Sequence, residues 1–99
     1  RILSATSILD YIFRELALVK FLGEGKILSK AEQLCIDNKF EFLDKTPKSF
    51  IVQALGLRRE IDEFIKKIKA LGEVSISRTG ALAMNKGAET VKDNKGKVL

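Results

Sequence analysis

Few side chains in this 99-residue sequence are of the types that carry catalysis, and none is arranged for it. The sequence contains no histidine and a single cysteine, Cys35. Histidine is the commonest general base and the commonest transition-metal ligand, so both kinds of chemistry lack their usual residue. Cys35 has neither a histidine nor a second cysteine beside it, which favours a small core residue over a nucleophile. The sequence therefore predicts no catalytic residue, no metal site and no cofactor.

The remaining chemistry would have to come from carboxylates, lysines or a phosphate-binding loop. The acidic residues are scattered, mostly opposite basic ones on predicted helix exteriors, so no convergent pair can be assigned to acid–base work. Lysines alone could support unusual chemistry, so a small enzyme is disfavoured rather than excluded. The segment GEGK at residues 23–26 could hold an anion at a helix N-terminus. It is too short for a phosphate-binding P-loop, and an ordinary strand–helix turn is the favoured interpretation.

One short motif, Arg78-Thr79-Gly80, stands out because of its position. It ends a predicted strand, turns through a glycine and leaves an arginine at the margin of the sheet. Two interpretations stay open: a bulge or corner with a solvated arginine, and an arginine anchor in a protein–protein contact, where this residue type is enriched. We predict that Arg78, Thr79 and Gly80 form a partner interface.

The net charge of +5 is diffuse. Residues 86–99 contribute four lysines against two acids, and the run at residues 66–69 shares its segment with Glu60, Asp62 and Glu63. This pattern favours a solvated helix face over a phosphate-binding stripe, so we expect no nucleic-acid partner. A basic ferredoxin-like nucleic-acid-binding module stays the alternative. No apolar run reaches the roughly 20 residues of a membrane span, and one cysteine suits a reducing cytoplasm.

The elements that must position these residues follow from hydrophobic spacing. Strands are predicted at residues 16–22, around Phe40 and Phe42, at 49–55 and at 73–78, with helices at 26–38 and 57–71. The two halves repeat at an offset of 33 or 34 residues. This order predicts an α+β, ferredoxin-like βαββαβ fold with an antiparallel sheet and both helices on one face. Its predicted bounds are 15–85, after a linker or short N-terminal helix at 1–14 and before a disordered basic tail at 86–99.

The sheet's second face is a problem for a monomer. A sheet covered by helices on one side only should alternate apolar and polar residues, but residues 16–22 and 50–55 are largely apolar on both faces. Two sheets facing each other, or one sheet extended across a dimer, would bury the extra surface. We therefore predict a homodimer or a higher oligomer.

Two stretches resemble a known family. Residues 15–20, ELALVK, resemble the opening strand of the C-terminal domain of the acetolactate (acetohydroxyacid) synthase small, regulatory subunit. Residues 49–84, SFIVQALGLRREIDEFIKKIKALGEVSISRTGALAM, resemble the rest of that domain, and Arg78-Thr79-Gly80 is the most specific part. The resemblance covers residues 14–85 in the correct order and spacing. The segment at 54–57 lacks the usual Gly-Asp character, and no proline precedes the last strand.

The resemblance implies a non-catalytic subunit of branched-chain amino-acid biosynthesis. Members of this family activate a separate, thiamine-diphosphate-dependent catalytic large subunit and confer feedback inhibition by valine, leucine or isoleucine. Their effector binds an N-terminal ACT domain, and the C-terminal domain dimerises and contributes to the complex. The 14 residues before Glu15 are too few for an ACT domain, so no effector-binding residue is assigned.

Overall fold

The computed structural model describes residues 11–88 and 97–98. In chain order its elements are β1 (Tyr11–Leu22), α1 (Gly25–Asp37), β2 (Glu41–Thr46), β3 (Ser49–Gly56), α2 (Arg58–Lys69), β4 (Glu73–Arg78), β5 (Leu82–Asn85) and β6 (Lys97–Val98). Neither helix is long and apolar enough to cross a membrane, within the residues that are described.

The main sheet has the strand order β2-β3-β1-β4, and every pairing in it is antiparallel. β1 is central: its Val19 lies opposite Val52 of β3 on one side and Ile76 of β4 on the other. Both helices pack on the same face of this sheet. The predicted α+β, ferredoxin-like βαββαβ fold is confirmed.

The core lies between that face and the helices. Every second residue of the two central strands points into it and is buried, namely Ala17, Val19 and Phe21 of β1 and Phe50, Val52 and Ala54 of β3. Aromatic rings fill its width: Phe21 stacks on Phe50 with ring centroids 5.5 Å apart, and Phe40 meets the edge of Phe64 at 4.8 Å. Such pairs add about 1 kcal/mol each beyond the area they bury.

Each helix presents one apolar stripe to the sheet. In α2 the buried residues are Ile61, Phe64, Ile65 and Ile68, at the spacing that one helical face requires. The helix begins after Leu57, whose backbone N–H donates to Oε1 of Glu60 at 2.8 Å. The three lysines of its last turn suit the negative end of the helix dipole. α1 buries Leu28, Ala31 and Cys35 in the same way.

The described ends of the chain differ from the sequence prediction. Residues 11–14, expected in a linker or short helix, are extended and form the start of β1, where they pair with β5. Within the predicted disordered tail, Lys97–Val98 pair with β5 as β6, so that expectation is wrong for these two residues. Residues 86–88 have no regular secondary structure, and the rest of the two predicted end segments, residues 1–10, 89–96 and 99, lies outside the described residues.

Candidate partner-binding surface

The predicted interface motif begins at the last residue of β4, where Arg78 lies opposite Ala17 of β1. Its guanidinium donates one hydrogen bond to Oε1 of Glu15, and its Nη1 lies 2.7 Å from Oδ1 of Asp62 on α2. The exposed fractions of the three side chains are 29% for Arg78, 1% for Glu15 and 56% for Asp62. Arg78 therefore joins the edge strand, the central strand and the second helix.

This ion-pair cluster accounts for a buried carboxylate. Glu15 lies on the core face of β1, in line with Ala17 and Val19, where an unpaired charge would cost several kcal/mol. The hydrogen bond from Arg78 compensates it and, together with the contact to Asp62, raises the pKa of Arg78 above its ordinary value. A planar guanidinium can donate hydrogen bonds to two carboxylates at once, and a lysine ammonium is less suited to this geometry.

Thr79 and Gly80 shape the turn that follows. The backbone N–H of Thr79 donates to the carbonyl of Leu16 at 2.9 Å, and the N–H of Leu16 donates to Oγ1 of Thr79 at 3.1 Å. Gly80 has a φ of +80°, a conformation that favours glycine. Ala17 pairs with Arg78, and Arg14 pairs with Leu82. Between these two pairs β1 advances by three residues and the opposing segment by four, so the extra residue forms a bulge.

The structure thus places the three predicted residues in one corner and shows their contacts within the chain. The bulge of the first interpretation is present, but the guanidinium of Arg78 is held by two carboxylates rather than left in solvent. That the corner contacts a partner stays a prediction. Glu15 and Asp62 were missed by the sequence analysis. The position of Glu15 could have indicated its burial. It lies two residues before Ala17 and four before Val19, so its side chain points to the same face of β1 as theirs.

The helix-free face of the sheet is the second candidate surface, called the open face below. It consists of the residues of β1, β3 and β5 that alternate with the core-facing ones, together with their neighbours on β4. Six large apolar side chains on it are exposed by more than a third: Ile12, Leu18, Leu22, Leu55, Leu82 and Met84. Among the described residues, no element packs on this face. A face on which several large apolar side chains are exposed, here interspersed with polar residues such as Lys20 and Gln53, is typical of an association surface.

The residues with intrinsic reactivity are not brought together. Cys35 is fully buried, as predicted, and burial raises the pKa of its thiol to about 12, so it is protonated and unreactive at neutral pH. In the segment at residues 23–26, the backbone of Gly25 has a φ of +67°, as a strand–helix turn requires. No group of three or more metal-ligating side chains occurs in the described part of the chain.

Comparison with known proteins agrees with this fold. Residues 14–87 match the sequence model of the family described as the small subunit of acetolactate synthase. The chain is 26% identical over 83 residues to the acetolactate synthase small subunit of Haemophilus influenzae, an alignment covering 83% of this chain and 51% of that protein. A crystal structure of the small subunit from Thermotoga maritima superposes with a TM-score of 0.71 at 25% identity, covering 82% of this chain and 50% of the other.

The fold is that of a ferredoxin-like α+β domain. Its ion-pair cluster joins elements of the same chain, and among the described residues one face of its sheet leaves apolar side chains exposed. The match over residues 14–87 then gives the family. The chain belongs to the acetolactate synthase small subunits and corresponds to their C-terminal domain. It spans about half the length of the relatives it matches.

Proposed function

We propose that this domain is a non-catalytic, regulatory part of acetolactate synthase in branched-chain amino-acid biosynthesis. It dimerises, and it binds and activates the separate catalytic subunit, which the family resemblance implies to be thiamine-diphosphate-dependent. The observation that carries the proposal is the family match over residues 14–87. A role without catalysis is also supported by the titratable side chains of the described residues. Glu15 and Asp62 both contact the guanidinium of Arg78, so both carboxylates are paired with its positive charge.

Dimerisation uses the open face. Leu16 of β1 lies opposite Leu55 of β3, so apolar side chains of neighbouring strands adjoin on this face, and Lys20 lies among them opposite Ile51. Exposed apolar surface contributes about 25 cal/mol for each Å² that a partner removes from water. A second copy would supply a surface of the same shape and chemistry, as a two-fold interface requires.

The catalytic subunit binds at the corner formed by Arg78, Thr79 and Gly80 and the adjoining start of α2. This corner lies at the end of the main sheet, beside the exposed Asp62. Arginine that is fixed by carboxylates within its own chain is preorganised, which lowers the entropy that binding must overcome. Arg78 and Asp62 lie on the helix side of the sheet, whereas the open face is on its other side.

Mixing the chain with its cognate catalytic subunit tests this function. We expect complex formation in analytical ultracentrifugation and a raised rate of acetolactate formation. The complete small subunit, assayed in parallel, is the positive control. If that control stimulates the catalytic subunit and this chain neither binds nor changes the rate, the proposal is wrong for this domain.

A further inference from the structure

A lysine interrupts the apolar part of the open face. Lys20 of β1 is exposed on this face, between Ile51 of β3 and Ser75 of β4, its register partners. Within the described part of the chain it forms no ion pair. It lines a shallow depression of about 250 Å³ together with Leu18, Ile51, Ser75, Ile76 and Ser77. A carboxylate that enters this depression can accept hydrogen bonds from the ammonium group of Lys20 and from a serine hydroxyl.

An acidic residue lies in the same row of the open face. Asp44 of β2 is the register partner of Ile51, which is also the register partner of Lys20. The row therefore runs Asp44, Ile51, Lys20 across three neighbouring strands. Two strand spacings, roughly 10 Å, separate the acid from the lysine. Both side chains are exposed, and within the described residues no ion pair joins them.

β3 is the strand about which this row is symmetric. Of the four strands of the main sheet it alone has no charged residue on the open face, where it presents Ser49, Ile51, Gln53 and Leu55. When two sheets pack face to face about a two-fold axis, residues on the axis meet their own copies. A charged residue there would face a like charge. The charges of the open face therefore favour an axis along β3 over an axis along any other strand of the main sheet.

We propose that two copies of the chain pack their open faces about a two-fold axis along β3, with Lys20 of each copy paired to Asp44 of the other. This inference rests on the proposed dimerisation through the open face and adds its orientation. The sheets lie about 10 Å apart, a gap that a lysine and an aspartate side chain span together. Ile51 and Leu55 each meet their own copies on the axis. A misaligned copy leaves Lys20 in the interface without a carboxylate, so the two ion pairs select this arrangement.

Glu41 is the other acidic residue of β2 on the open face, where it is the register partner of Gln53. It lies two residues along the strands from the row of Lys20. A contact between Lys20 and Glu41 therefore needs a larger rotation of the second sheet, away from the aligned packing in which strands cross at about 30°. Aligned packing favours Asp44 as the partner, and Glu41 serves as a control.

Exchange of the two charges between separate chains tests the pairing. Lys20→Glu places an acid opposite Asp44 of the second copy, and Asp44→Lys places a lysine opposite Lys20. Each variant alone should dimerise at least about tenfold more weakly than the parent chain, because both ion pairs become repulsions. In an equimolar mixture the two introduced residues face each other, and so do the native Asp44 and Lys20. We expect this mixture to associate within about threefold of the parent chain in sedimentation equilibrium.

Glu41→Lys is the matched control, since it makes the same charge change on the same strand and face. Its mixture with Lys20→Glu retains a repulsion between the introduced acid and Asp44. This mixture should associate at least about threefold more weakly than the mixture of Lys20→Glu with Asp44→Lys. Equal recovery in both mixtures, or stronger recovery with Glu41→Lys, overturns the pairing.

Cross-linking tests the axis even if a charge-reversed chain fails to fold. Ile51→Cys lies on the axis and should be joined to its own copy by a short bis-maleimide. Ser75→Cys lies in the same row but two strands from β3, so its two copies are roughly 19 Å apart and should react at least about fivefold more slowly. The native Cys35 is fully buried and does not compete.

Failure of this orientation is distinguishable from failure of the dimer itself. If the parent chain is monomeric at micromolar concentration, or if Leu55→Asp leaves its dimer intact, dimerisation through the open face is wrong and this pairing with it. If Leu55→Asp disrupts the dimer but the mixture of Lys20→Glu with Asp44→Lys shows no recovery, the open face stays the interface and the pairing is wrong. Equal cross-linking of Ile51→Cys and Ser75→Cys likewise overturns an axis along β3.

Discussion

The two faces of the sheet are built from the same strands in the same register, but within the described residues the helices cover only one of them. On β3, Phe50 is completely buried beneath the helices, whereas Leu55 on the opposite face is 56% exposed. The covered face has aromatic packing and no unpaired buried polar side chain among the described residues. The open face also has large apolar side chains, and no described element of the chain packs on them. Period-two alternation thus separates the residues that hold the domain together from those available for association.

The difference between the two faces should have its largest effect on stability at β3, where Phe50 and Ile51 are neighbours on opposite faces. We expect Phe50→Ala to lower the free energy of unfolding by about 3–5 kcal/mol, because it removes a ring that contacts Phe21 and Phe42. Ile51→Ala should cost less than about 1 kcal/mol in dilute solution, where association does not contribute. Urea denaturation of both variants gives these values. Equal losses would show that the open face is also part of the folded monomer's core.

Arg78 connects the covered face to the exposed end of α2, and its two partners differ in burial. Arg78→Met should cost about 3 kcal/mol, the low end for breaking a buried ion pair, because it leaves Glu15 buried without its counter-charge while Arg78 itself is partly exposed. Asp62→Asn removes only the exposed contact and should cost about 0.5 kcal/mol. The same urea experiment separates the two.

A double substitution sharpens this test. Replacing Glu15 and Arg78 together, by Gln and Met, removes the buried charge with its partner and should recover about half of the loss in Arg78→Met. If Asp62→Asn costs as much as Arg78→Met, the cluster depends on the helix contact and the buried Glu15 is not its main element.

Local patterns in the sequence were sufficient to predict most of the strands and helices that form the covered face. The bounds of β4 agree with the predicted 73–78, and those of β3 agree with the predicted 49–55 to within one residue. The start of β1 was not predictable in this way, because residues 11–14 are extended through pairing with β5, about 70 positions later. β2 likewise continues to Thr46 only because β3 pairs with it up to Ser49.

The candidate site shows the same limit. Arg78-Thr79-Gly80 was found from its type and position, and its bulge follows from a strand end next to a glycine. The contacts of this motif could not be found in the same way. Glu15 lies 63 positions from Arg78 in the sequence and approaches it only because β1 and β4 pair. An acidic residue in phase with buried neighbours predicts that some cation must reach it, but the identity of that cation depends on the register of the folded sheet.

The smallest expected effect on folding, and the sharpest test of the open face, comes from Leu55→Asp. Ile36 on α1 is its matched control, since it is exposed by 53% against 56% for Leu55 and lies outside the sheet. Both aspartate variants should unfold within about 0.5 kcal/mol of the parent chain at low concentration, because neither removes a buried group. Sedimentation equilibrium should show association weakened at least about tenfold by Leu55→Asp, which places a charge in an apolar interface, and unchanged by Ile36→Asp. If the parent chain is monomeric at micromolar concentration, or if both variants associate equally, the open face is not where two copies meet, and its apolar strip must be assigned to a different partner.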